Sequence, residues 1–335
     1  MDKVNNSPSQ VLKAIQNSKN IVTFIDARFD FDGLCSVLAL KHYINSLQNV
    51  TYTVYFLEEL PKKVKNLFDL SFVTENTHPS TVNFDDFDLA IFIDSNNASK
   101  ITKDLHYELE SNIKIVNIDH HRDNTYFGTI NYVMPQKASA CSVLFDLFKK
   151  WKVEIDTQLA TYLMYGIVTD TGNFQNLNVT ADDMHDVAEL LQKGADLYKI
   201  MKNIADSDDE ATIAFKKITY NNLSIDRGNK VVYSYATQQD LVNEKITGKE
   251  VSSYPVDLLT KIEGVDFAVF VKEKEVPGTF SISFRSIDAT YDVQKIAQKF
   301  GGGGHKAAAG GKVEGYESLE KLIRDIMQAK NDLQF

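Results

Sequence analysis

The chain is poor in the residues that define several large protein classes. Its 335 residues include only two cysteines, Cys35 and Cys141, too few for a disulfide framework or a thiolate zinc cage. Basic residues are outnumbered, 36 against 46, and only five of the 36 are arginines. A net charge of −10 argues against binding long duplex nucleic acid, which depends on neutralising phosphates with Lys and Arg. No uncharged apolar run approaches the ~20 residues that cross a bilayer, so no membrane partner is expected. The opening stretch, MDKVNNSPSQ, lacks the apolar core of a signal peptide, and a reducing cytoplasm is the expected location.

What remains is a folded composition, 43% apolar and 24% charged, on a length that suggests two domains. Almost all the acidic excess lies in the first half. Acidic residues outnumber basic ones by nine over residues 1–190 and by one over 191–335.

Short β-branched or aromatic runs, Ile21–Ile25, Thr51–Leu57, Leu89–Ile93 and Ile113–Ile118, read as strands covered on both faces. Helical patterns separate or follow them at Leu34–Leu47, Lys62–Leu70, Ser142–Trp151, Gln158–Thr169 and Ala181–Gly194. Such alternation predicts an α/β domain over 1–190 built on a doubly wound, mainly parallel sheet. Residues 191–222 are charged and helical in pattern, as a linker would be. From 223 to 335, strands at Lys230–Tyr235, Val265–Lys272 and Thr279–Arg285 mix with helices at Pro255–Ile262, Val293–Phe300 and Ser318–Ala329, which predicts a smaller α+β domain.

Three of the strand patterns end in aspartate. Ile21–Ile25 runs into Asp26, with Asp30 and Asp32 in the following turn; Leu89–Ile93 runs into Asp94; Ile113–Ile118 runs into Asp119-His120-His121. In a parallel sheet these ends line one crevice, the usual ligand site. Five carboxylates and two imidazoles meeting there need cations to neutralise them. Hard oxygen donors with one or two imidazoles suit Mn²⁺, with Mg²⁺ allowed. Asp170, where a helix breaks into Thr171-Gly172-Asn173, is a further ligand candidate. Two ions about 3.5–4 Å apart would hold a hydroxide and clamp a phosphoryl group. Taken singly, Asp30-Phe31-Asp32-Gly33 is equally a turn or a helix N-cap, and a His pair is more often surface or core than ligand.

These segments resemble the motifs of the DHH phosphoesterase superfamily. Asp119-His120-His121 matches the namesake motif, Phe29–Ser36 resembles most of the first, Asp94 the second, and Thr169-Asp170-Thr171-Gly172 the fourth. Gly301-Gly302-Gly303-Gly304-His305, followed by Ala307-Ala308-Ala309-Gly310, is similar to the signature of the DHH-associated C-terminal domain. The glycine–histidine signature and the length point to the nanoRNase/pAp-phosphatase branch rather than to family II pyrophosphatases. The resemblance implies an active site in the interdomain cleft, with Asp30 on the first metal, Asp32 on the second and Asp94 bridging. His120 and Asp170 would complete the second site, Asp119 would support the metal shell, and His121 would serve the leaving oxygen. It also implies a Mn²⁺-dependent hydrolase. The substrates would be short RNA, cut to 5′-mononucleotides, and pAp, cut to AMP and phosphate; pApA and linear or cyclic di-adenylate nucleotides are alternatives. Relatives often dimerise, so a homodimer is allowed.

One position departs from the pattern. The first motif normally opens with His where this chain has Asp26. The expectation is a differently tuned metal site with Asp26 as ligand; the alternative is a weakened enzyme that only binds nucleotide. Arg28 lies close enough in sequence to meet a phosphate. In the second domain Arg285 and His305, with Gly302, Gly303 and Gly304, are the expected substrate contacts, because consecutive glycines expose N–H groups to anions and a guanidinium suits a terminal phosphate. Gly304-His305-Lys306-Ala307 is not a Walker ending. Ser139-Ala140-Cys141-Ser142 offers a phosphate-facing helix start, or simply a cap.

Overall fold

The computed structural model describes residues 5–104, 106–109, 111–176, 179–205, 210–246, 255–287 and 291–333. The chain divides into two compact units, Met1–Ser207 and Asp208–Phe335.

In the first unit, β1 (Asn20–Phe24), β2 (Thr51–Tyr55), β3 (Val73–Thr74), β4 (Leu89–Ile93), β5 (Ile115–Asp119) and β6 (Ile130–Val133) form one sheet in the order β3-β2-β1-β4-β5-β6. Every pairing is parallel. The order reverses between β1 and β4, so the carboxyl ends of those two strands flank the crevice where such sheets bind ligands.

Strand residues alternate between two cores, as a period of two requires. Ile21, Leu89, Ile91 and Ile93 face a large helical core, whereas Val22, Phe24, Ala90 and Phe92 face Phe84, Ile101 and loop residues. The helices are α1 (Pro8–Gln16), α2 (Phe31–Asn45), α3 (Lys62–Leu67), α4 (Ala140–Trp151), α5 (Thr157–Asp170), α6 (Ala181–Gln192) and α7 (Leu197–Ala205). Sequence periodicity missed β6. Its edge is covered by the N-terminal segment: Asn6 N donates to Asn131 O at 2.7 Å, and the Asn5 amide makes two bonds to the Val133 backbone. Covering an edge in this way protects it from pairing with another chain.

The second unit carries a mixed sheet, ordered β11-β12-β10-β9-β8-β7. Its strands are β7 (Ser224–Asp226), β8 (Val231–Ala236), β9 (Phe267–Glu273), β10 (Phe280–Ser286), β11 (Gly303–Gly304) and β12 (Ala308–Val313), and only β8 and β9 run parallel. On one face Phe267, Val269 and Val271 pack with α11 (Val293–Lys299) and α12 (Leu319–Asp332). On the other, Ala268 and Phe270 pack with α8 (Glu210–Asn221), α9 (Gln238–Asn243) and α10 (Pro255–Leu259).

The stretch expected as a helical linker, 191–222, is shared out between the units. Ile200 of α7 is buried in the first core, and Phe215 and Ile218 of α8 in the second. Each helix hides a narrow apolar stripe under many charges, which is why the segment reads as solvated.

Candidate metal centre

Four elements deliver the acidic residues to one place. Asp30 caps α2, its Oδ1 accepting the Gly33 amide at 2.8 Å. Asp32, one residue into that helix, is buried. Asp94 ends β4 in the left-handed region, φ 57°, which Asp tolerates better than most side chains. Asp119 ends β5, followed by His120 and His121, and Asp170 ends α5.

Two constellations form, each with its donor atoms within 4.8 Å of one another: Asp94 with Asp119, His120 and His121, and Asp32 with His120 and Asp170. His120 belongs to both. Its Nε2 lies 3.3 Å from Asp94 Oδ1 and 3.5 Å from Asp170 Oδ2. Asp94 Oδ1 is buried with no hydrogen-bond partner. The imidazoles of His120 and His121 lie 3.3 and 3.7 Å from it as ion-pair partners, and a cation seated among these groups would give the buried oxygen a direct partner.

The local electrostatics reflect the same crowding. Burial, reinforced by Asp30 and Asp32, pushes the Asp94 carboxyl well above the usual range. Burial and the charge of Asp32 push Asp170 up to about 7. Burial would depress His120, but Asp94, Asp32 and Asp170 override it and push the imidazole up to about 10. All three shifts favour protonation, the direction expected where carboxylates crowd together without a cation.

Asp119 plays a different part. It is fully buried, yet held below the usual range, because its bond to His121 and an amide from Asn124 outweigh the burial. His121 Nδ1 donates to Asp119 Oδ1 at 2.7 Å, and this fixes the ring and its tautomer. Asn124 also donates to Asn117 Oδ1 at 2.8 Å. The sequence reading missed both asparagines; their signal is Asn117 on the same strand face as Asp119 and Asn124 three residues past the His pair.

Asp26 and Asp30 contribute no atom to either constellation among the described residues. Asp26 Oδ1 accepts the Arg28 amide at 2.8 Å, and burial pushes its carboxyl up. Arg28 itself is exposed. Asp30 acts at longer range, its charge raising Asp26, Asp32, Asp94 and Asp170 alike.

The helix start at Ser139–Ser142, read as a possible phosphate seat, is already occupied. Asp32 Oδ2 accepts the Ala140 amide at 2.6 Å and Oδ1 the Cys141 amide at 3.0 Å. Both cysteines are buried, and their thiols are pushed far up by burial, so neither offers a thiolate to the cluster. A cavity of about 570 Å³ elsewhere in the first unit, lined by Phe68, Tyr162, Tyr165 and Asn203, includes none of the cluster residues.

In the second unit, Arg285 on β10 pairs with Asp257 of α10, Nε to Oδ1 at 2.8 Å, and its Nη1 donates to Phe284 O. Within the glycine run, Gly303–Gly304 form the exposed edge strand β11, paired with β12 through Gly303–Gly310 and Gly304–Ala309. Glycine is needed for that approach: a Cβ at Gly302 would lie 2.4 Å from Gly310 O, and one at Gly304 2.6 Å from Ala308 O. His305 is exposed at the head of this hairpin, its amide donating to Ala308 O at 2.7 Å. No described helix is long and apolar enough to cross a membrane.

Comparison with known proteins matches both units to families. The N-terminal domain of the DHH family matches residues 20–167, and the DHHA1 domain matches residues 228–332. A Thermus thermophilus protein named bifunctional oligoribonuclease and PAP phosphatase NrnA is 28% identical over 327 residues, 96% of this chain and 91% of the relative. A Mycoplasma pneumoniae protein of the same name is 27% identical over 332 residues, covering 96% of each chain. Among solved structures, an exopolyphosphatase-related protein from Bacteroides fragilis superposes with a TM-score of 0.82 at 21% identity, covering 99% of this chain and 98% of that one, which establishes a shared fold. With two DHH-type domains in this order, and NrnA-named relatives along nearly its whole length, the chain belongs to the DHH superfamily as an NrnA-like phosphoesterase.

Proposed function

We propose that this protein is a divalent-metal-dependent hydrolase of small nucleotides. It cleaves short oligoribonucleotides to 5′-mononucleotides and removes phosphate from pAp to leave AMP, with Mn²⁺ as the preferred ion. The observation that carries the proposal is the convergence of Asp94 and Asp170 on His120, with Asp94 Oδ1 buried and without a hydrogen bond, a crowding of carboxylates that a cation would relieve. The activity named for the relatives supports the choice of substrate.

The donor set fits such ions: Asp32, Asp94, His120 and Asp170 offer hard oxygens and an imidazole, with no thiolate. These residues would hold the metal, with His120 placed between the two constellations and Asp94 beside it. Bound there, divalent ions neutralise the carboxylates and the phosphate and acidify water for attack on phosphorus. The chain's own contribution is positional. Asp119 fixes His121 through Nδ1, and the bond holds the ring protonated more readily than a free imidazole, burial notwithstanding. His121 is therefore ready to donate from Nε2 to a leaving oxygen. Arg285 and His305 are the proposed contacts to substrate phosphate or base. Asp26 stands where the family pattern has His, and Asp32, Asp94, His120 and Asp170 supply the proposed donors without it.

The test is a panel of pAp, pApA, cyclic di-AMP and short RNA, assayed with Mn²⁺, with Mg²⁺ and with chelator. Metal-dependent release of phosphate from pAp and of mononucleotide from RNA is expected. Tight nucleotide binding without turnover would instead mark a binding protein.

A further inference from the structure

Asp32 is held from a direction that the acidic motifs do not contain. Its two oxygens take the Ala140 and Cys141 amides at the start of α4. That first turn is itself fastened to α6. Asp183, fully buried, places Oδ1 3.4 Å from both the Ala138 amide and the Ser142 hydroxyl. Beside it, Lys137, only 9% exposed, donates to Asp186 Oδ2 at 2.9 Å and lies 3.4 Å from Asp146.

A purely local role accounts for half of Asp183. Its Oδ2 accepts the Thr180 amide at 2.8 Å and the Thr180 hydroxyl at 2.7 Å, which is the capping box of α6. Oδ1 has no part in that box and faces the first turn of α4. Each 3.4 Å contact is long and weak alone, but the two converge on the residues flanking the donors to Asp32.

We propose that Asp183 is a positioning residue for metal binding. Through Ala138 and Ser142 it fixes the pair of amides that aims the Asp32 carboxylate. The inference rests on the reading of the cluster as a divalent-cation centre. Partners one step behind a metal ligand, here the Ala140 and Cys141 amides, orient it, and their loss costs roughly 10–100-fold in affinity; Asp183 stands one step further out, so its loss should cost less.

The experiment is calorimetric titration of the full chain with Mn²⁺, alongside circular dichroism and the thermal midpoint. The variants are Asp183→Asn, Ser142→Ala, Glu189→Gln as an α6 control, and Asp94→Asn. Asp183→Asn should raise Kd by roughly 3–10-fold, below the ~10–100-fold cost of losing a direct partner, and Ser142→Ala should raise it less. Glu189→Gln should leave Kd unchanged. The Mn²⁺ concentration for half activity should rise with Kd, while kcat at saturating metal stays near the wild-type value. A folded Asp183→Asn protein with unchanged Kd overturns the proposal, whatever its thermal midpoint. Should Asp183→Asn not fold, an unchanged Kd in Ser142→Ala overturns it alone. A wild-type protein that binds no Mn²⁺, or an Asp94→Asn protein that binds it equally well, would instead defeat the metal-centre reading.

Discussion

Asp94 Oδ1 stands 3.3 Å from His120 Nε2 and yet has no hydrogen-bond partner. The two groups form an ion pair, with His121 Nδ1 3.7 Å from the same oxygen, in a cluster too acidic for these imidazoles alone to neutralise. An ion between them would be held by both.

Replacing that oxygen tests the relationship. Asn also tolerates the left-handed backbone at position 94, so Asp94→Asn should fold. Loss of an outer partner costs roughly 10–100-fold, so loss of the ligand itself should reduce turnover and metal affinity by more than ~100-fold. Without metal the variant should melt higher than the wild type, because the raised Asp94 carboxyl is crowded by Asp30 and Asp32. Near-normal turnover in the folded variant would count against the assignment.

Metal-free stability should fall as pH rises. Asp170 has a folded pKa of about 7 against an ordinary 3.8, so the stability tied to its proton is full below pH 3.8 and lost as pH passes 7. His120, at about 10 against an ordinary 6.5, loses its share as pH climbs from 6.5 through 10. Both slopes have the same sign. The thermal midpoint with chelator should therefore drop from pH 5.5 to 8.5, and the gain on adding Mn²⁺ should grow over that interval. A gain larger at pH 5.5 would contradict the cluster's charge state.

Gly166 lies in the interior of α5, where Ala would ordinarily stabilise a helix by up to ~1 kcal/mol. Here a Cβ would stand 2.3 Å from Cys141 Sγ and 2.4 Å from Asp32 Oδ1. Overpacking of that kind typically costs ~1–3 kcal/mol, so the balance is unfavourable. Gly166→Ala should lower the thermal midpoint and weaken Mn²⁺ binding together. Unfolding in denaturant and calorimetry read both; a stabilised variant with intact metal affinity would sink this view of the packing.

Arg285 offers a sharper contrast because its partner is known. The pair with half-exposed Asp257 is worth about 0–1 kcal/mol, so neither residue is needed for folding. Arg285→Ala should raise KM for pAp with little change in kcat, whereas Asp257→Asn, which removes only the ion-pair partner, should leave KM nearly unchanged. Equal increases in KM from both would mean the pair serves only to brace the second unit.

The features legible in sequence are those that periodicity and strand ends encode. Leu89–Ile93 is continuous and apolar because both of its faces are covered, and Asp94 stands out where the run stops. Asp32, His120 and Asp170 stand out the same way, as polar residues where apolar runs break, and the fold brings them together. The two-residue strand β11 was not, because glycines carry no pattern and the pairing to Gly310 lies across a turn. The hold of α4 on Asp32 uses backbone amides, and that of α6 on α4 uses a capping aspartate, so neither leaves a distinctive letter. Asp26 and Asp30, expected as ligands from their position in the motif, each also commit one oxygen to local structure, a turn and the cap of α2.

The most direct measurement is anomalous diffraction from crystals grown with Mn²⁺. The account predicts a manganese peak within coordination distance, about 2.0–2.6 Å for hard divalent ions, of both Asp94 Oδ1 and His120 Nε2. Well-ordered density for these residues with no peak between them, at a metal concentration that supports full activity, would contradict it.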